Sequence, residues 1–135
     1  MSPDSRPTAL RSITILAPIS LGELIDRITI LRIKSQHLSG PALTDVANQL
    51  STLNATLEQV NPGIDPDLVQ QLQEVNASLW DSENKIRAKE KEQDFGEGFI
   101  RLARSVYRTN DRRAAVKKQI NVTYGSSFAE EKIYK

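Results

Sequence analysis

The chain has 135 residues, 39% of them hydrophobic and 26% charged, with a formal net charge of +1; this fits one soluble domain around one core and gives no global field for nucleic acid or membrane. With no cysteine, disulfides, zinc–thiolate sites and thiol catalysis are excluded, and the single histidine, His37, rules out a multi-histidine metal site. No apolar run approaches the roughly 18 residues of a membrane helix, and the opening M-S-P-D-S-R-P-T lacks a secretory pattern, so a cytoplasmic location without membrane insertion is expected.

Residues 1–11 are polar, contain two prolines and read as a flexible N-terminus, which leaves residues 12–135 as a single helical domain. In residues 12–18, Ile13 and Ile15 alternate with Ser12 and Thr14, the pattern of a short extended arm. A lone strand has no partner within the chain, so the arm either lies on the helices or pairs with a second copy.

Ser20-x-x-Glu23 is a capping box that opens the first helix. Leu21, Leu24, Ile25, Ile28, Leu31 and Leu38 form one apolar stripe, and Ile30 with Ile33 a second. A helix apolar on two faces is sandwiched, so Asp26 and Thr29 between the stripes should be at least partly buried. A buried carboxylate needs a cation or several donors, so Asp26 implies a partner elsewhere.

Ser39-Gly40-Pro41 breaks that helix. Leu43, Val46, Leu50, Leu53, Leu57 and Val60 then follow heptad spacing, a seam suited equally to a bundle or a coiled-coil dimer. Asn61-Pro62-Gly63 ends this second helix, and Asp65 with Pro66 starts the third. Its inner face is Leu68, Leu72, Val75, Leu79 and Ile86, with Glu83 at a position where leucine would be expected and Trp80 and Asn76 on its flanks. Asp94-x-x-Glu97 offers a second capping box, and the last helix should run over about residues 95–124, stopping at Gly125.

Projected at 100° per residue, the last helix begins with an ordinary core face of Phe99, Leu102, Ala103 and Val106. The same face continues as Asn110, Arg113, Ala114, Lys117 and Asn121, so the core turns polar. Arg101, Arg104, Arg108 and Arg112 stack on the other side as a solvated face. Residues 61–96 carry four basic and eight acidic side chains, residues 97–135 nine and four. That imbalance fits electrostatic complementarity within a helical hairpin better than a nucleic-acid surface, because aromatic interleaving and a net positive domain are lacking. Folding the hairpin about residue 95 places Glu83 opposite Tyr107 and Asn76 opposite Ala114, to within a turn. Trp80, Asp81 and Glu83 then sit close to Tyr107, Asn110 and Arg113, joined from the first helix by Asp26 or Glu23. Two readings stay open: a structural network in which a buried glutamate is neutralised by arginine, or a polar pocket between helices that waits for a ligand.

Four segments carry a resemblance: G-E-L-I-D-R-I-T-I-L-R-I-K at 22–34, V-N-A-S-L-W-D-S-E-N-K-I-R at 75–87, A-R-S-V-Y-R-T-N-D-R-R-A-A-V-K-K-Q-I-N at 103–121, and E-E-K-I-Y at 130–134. Together they resemble an uncharacterised family of small helical bacterial and phage proteins, similar segments of which occur beside or fused with glycosyltransferase and tetratricopeptide modules of surface-polysaccharide pathways. The resemblance covers most of residues 13–134 and implies a setting in glycan assembly, not a reaction. Leu21, Arg32 and Ser82 depart from it, standing where an aromatic, an acidic and an aliphatic residue are common.

The expected fold is therefore all-α: an antiparallel bundle of about four helices, the last two a long hairpin, with a short extended N-terminal arm. The leading functional expectation is a non-catalytic accessory or interaction module linked to glycan assembly, a homodimer with a protein partner such as a glycosyltransferase. A second is a binding domain for an anionic ligand such as a sugar phosphate or nucleotide sugar, with Asp26, Trp80, Glu83, Tyr107, Asn110, Arg113 and Lys117 as its residues. A third is an all-helical enzyme of the chorismate-mutase type, for which only the residue types agree. No metal or cofactor is expected, and nucleic acid is not an expected partner.

Overall fold

Capping signals and apolar stripes resolve into four helices and no strand among the described residues, 13–60 and 63–127 of a computed structural model. These are α1 (Leu21–His37), α2 (Gly40–Val60), α3 (Pro66–Lys91) and α4 (Glu97–Thr123). The chain is an all-α bundle. The expected flexible segment 1–11 and the motif at 130–134 lie outside the described residues.

Local chemistry explains most of the boundaries. Ser20 Oγ accepts from the Glu23 amide at 3.1 Å, and Asp65 Oδ1 accepts from the Asp67 amide at 2.9 Å ahead of Pro66, each capping an otherwise unpaired N–H. After α4, Gly125 takes φ +65°, the left-handed turn that a residue without Cβ adopts without strain. Two expectations are corrected. Glu23 does not close the capping box at Ser20, because its carboxylate is taken by Arg27 and Lys117. The Asp94 box does not form either: Asp94 binds Lys89 at 3.0 Å and the Gly96 amide at 3.2 Å, so α4 starts at Glu97 behind Gly96, with no side-chain cap.

The centre of the molecule is α1, which packs against all three other helices, while α2 lies close to α1 and α3 pairs with α4. Both apolar stripes of α1 are covered: Leu24, Ile25, Ile28, Leu31 and Ile33 are buried, and with them Asp26 and Thr29. The principal core joins Ile25 to Leu68 and Leu72 of α3 and to Val116 and Ile120 of α4. Of the α2 seam, Val46 is buried, Leu43, Leu50, Leu53 and Leu57 are half-buried, and Val60 is exposed.

The α3–α4 hairpin has the expected antiparallel register to within a turn, with the Ser105 and Ser82 hydroxyls 3.5 Å apart. Its burial is uneven. The buried residues of α3 fall between Leu68 and Asn76 and those of α4 between Thr109 and Asn121. The expected core face at the other end is correspondingly incomplete: Phe99, Leu102, Val106 and Ile86 are half-buried and Ala103 is exposed. The physical reason is length, because α1 ends at His37 and covers only the open end of the hairpin. Residues 13–19 run out of α1 as an exposed segment without regular structure.

Candidate functional site

The polar row of α4 faces α1. Asp26, fully buried, accepts from Arg113 Nε on one carboxylate oxygen at 2.8 Å and from Arg113 Nη2 on the other, a two-point guanidinium–carboxylate pair. Asn76 of α3 donates its side-chain amide to Asp26 Oδ1 at 2.9 Å and to Thr29 Oγ1 at 2.8 Å, and Thr29 donates in turn to the Asp26 backbone carbonyl at 2.8 Å. One turn along, Lys117, 6% exposed, places Nζ 2.6 Å from Glu23 Oε2 and 3.9 Å from Asp26 Oδ2. Two acids from α1 thus meet two bases from α4, and the charges balance inside the protein.

Burial pushes the Glu23 carboxyl up, but hydrogen bonds and charge from Lys117 and Arg27 outweigh it, so its pKa lies below the ordinary glutamate value. The start of α1 is tied down as closely. The Leu21 amide donates to Ser126 Oγ at 2.8 Å and the Gly22 amide to Asn121 Oδ1 at 2.7 Å. With Ser20 capping Glu23, the N–H groups of the first turn are satisfied by the chain itself. Gly22 permits this approach: a Cβ there would meet the Lys117 carbonyl oxygen at 2.5 Å.

The expected residues divide three ways. Asp26 and Lys117 are interior members of the network. Trp80, Glu83, Asn110 and Arg113 line a groove of about 620 Å³ between α1, α3 and α4, whose aliphatic side is Ile30, Ile33 and Leu79. Tyr107 stands apart, exposed on the outer face of α4, where hydrogen bonding from Arg104 and the charge of Arg108 hold its hydroxyl pKa low. Of the two candidate complements of Arg113, Glu83 first and Asp26 second, the ion pair forms with the second, Asp26, because Glu83 lies on the part of α3 that α1 leaves exposed. The arginine stripe is a solvated face as expected, Arg101, Arg104, Arg108 and Arg112 all being exposed.

Sequence reasoning assigned no role to His37, yet its ring stacks on Trp80 with centroids 4.8 Å apart and planes 20° from parallel. Nothing local in the sequence links those two residues. In the sequence, Asn76 is legible only as a polar residue flanking an inner face, Asn121 only as one on an inner face, and Gly22 only as part of a motif. Asp81 binds Lys85 at 2.8 Å. Among the described residues there is no group of three or more side chains suited to a metal ion, and no helix is long and apolar enough to cross a membrane.

Set against known protein families, residues 15–135 match a family of unknown function, DUF6165. No curated protein and no solved structure is significantly similar to the chain.

Proposed function

The chain belongs to this family of unknown function, and from that premise we propose a non-catalytic helical interaction module that works as a homodimer. One observation carries the reading. Ile13, Ile15 and Leu16 of the arm are 72%, 82% and 93% exposed, and burying such side chains against a partner is worth about 1.5–3 kcal/mol each. A second copy is the occupant this surface favours. Val60 at the end of the α2 seam, also exposed, shares a hollow with Ala17 and Ile19, and the half-buried Leu53 shares one with Thr14, so both surfaces fit one apolar patch that a two-fold contact covers on each chain at once.

The closed network supports the non-catalytic part of the reading. A site of the chorismate-mutase type presents a lysine beside its arginines to the substrate, whereas Lys117 is buried against Glu23. The glycan-assembly setting rests on the sequence resemblance, with a glycosyltransferase as the partner class it suggests. Sedimentation velocity of the full chain against Ile15→Asp/Leu16→Asp tests the dimer. The expected result is a dimer that becomes a monomer of unchanged helicity in the variant; a monomeric native chain, or a variant that stays dimeric, overturns the reading.

A further inference from the structure

We propose that the groove between α1, α3 and α4 is a binding site for a sugar ring carrying one anionic substituent, a uronate carboxylate or a sugar phosphate. This stands independently of the dimer, since no described residue of the arm lines the groove. Its volume of about 620 Å³ lies in the range of small-ligand sites. Its chemistry is two-sided. Ile30, Ile33 and Leu79 with Trp80 supply an apolar wall, which suits the C–H face of a pyranose. Opposite ring hydroxyls, which both donate and accept, stand Glu83 as acceptor and Asn84 and Asn110 as groups of both kinds. Arg87 and Arg113 supply guanidinium groups for the anionic substituent.

Two of these groups are held in place from outside the groove. Arg113 is fixed at Nε and Nη2 by the buried Asp26 while its side chain stays 28% exposed. Trp80 is held by the stack with His37, which is not itself part of the lining. A cation and an aromatic plane whose rotamers are already fixed lose little entropy when a ligand arrives. Arg87 is exposed and Asn110 half-buried, so either can be changed without dismantling the core. The lining carries two arginines, Arg87 and Arg113, against one carboxylate, Glu83, which stands one turn before Arg87 on α3. That composition fits a singly charged polyhydroxylated ring better than a polyphosphate.

Trp80 is the chain's one tryptophan, so intrinsic fluorescence of the full-length protein reads the groove directly. Titration is with glucuronate, glucose 1-phosphate, glucose and inorganic phosphate, each to about 10 mM, a ceiling that captures millimolar binding. A saturable change in Trp80 emission with at least one acidic sugar is expected, with glucose and inorganic phosphate weaker by about tenfold or more. Whichever acidic sugar binds identifies the anionic group. Arg87→Gln and Asn110→Ala should each weaken binding by about tenfold with an unchanged melting temperature. The proposal is overturned by no saturable response to either acidic sugar, by glucose or phosphate binding as tightly, or by an Arg87→Gln variant that binds like the native chain.

Discussion

A carboxylate without solvent exposure must take up a proton or find donors, and Asp26 finds them on two helices at once, Arg113 on α4 and Asn76 on α3. Each of those donors is tied elsewhere by geometry: Asn76 also reaches Thr29, and Arg113 spans both carboxylate oxygens. The net stability of such a pair over an apolar replacement is small, but removal of one partner strands the other. Arg113→Met should therefore cost about 3–5 kcal/mol in equilibrium urea unfolding, because Met fills the space and leaves the buried Asp26 without its two-point partner. Asp26→Asn on that background should recover part of the loss, since the amide keeps an acceptor for Asn76 without the charge. An Arg113→Met protein as stable as the native chain would mean that Asp26 draws its compensation from somewhere else.

At the scale of elements, α3 and α4 outrun the helix they pack on. Twenty-six and 27 residues against 17 correspond to about 40 Å of hairpin against about 26 Å of α1. The far end is a two-helix projection with half-buried contacts, and Phe95, Ile100 and Tyr107 exposed along it. Amide hydrogen exchange should show the difference: protection in 82–106 should fall well below that of 68–76 and 109–121, because few buried apolar contacts hold the projection closed. Uniform protection along both helices would contradict it. The same overhang explains what was and was not legible in the sequence. Ser20, Asp65 and Gly125 marked helix ends because caps are local chemistry, and the two stripes of α1 placed Asp26 in the interior. The partner of Arg113 was not legible, since Glu83 and Asp26 are both carboxylates on apolar faces. Only the position of α1 along the hairpin, a tertiary property, separates them. His37 on Trp80 was hidden for the same reason, being a contact between the end of one helix and the middle of another.

For the molecule as a whole, α1 is the shared wall, and its attachment to α4 includes two ion pairs, Asp26 with Arg113 and Glu23 with Lys117. Stability should therefore respond to acid through this joint. Glu23 has a folded-state pKa below its ordinary value of 4.5, burial opposing the shift and Lys117 and Arg27 producing it. Folding thus favours the ionised form, and the stabilisation is complete above about pH 4.5 and is lost as pH falls through the folded value. Urea unfolding of the native chain should be nearly level from pH 7 to pH 5 as far as Glu23 is concerned, then decline towards pH 3. Glu23→Gln should be less stable at pH 7, where it leaves Lys117 without that carboxylate, and should decline less steeply in acid, so that the two curves converge. Curves that stay parallel from pH 7 to pH 3 would show that the Glu23–Lys117 pair does not couple α1 to α4, and would leave Asp26 as the one ionic link between them that bears on stability.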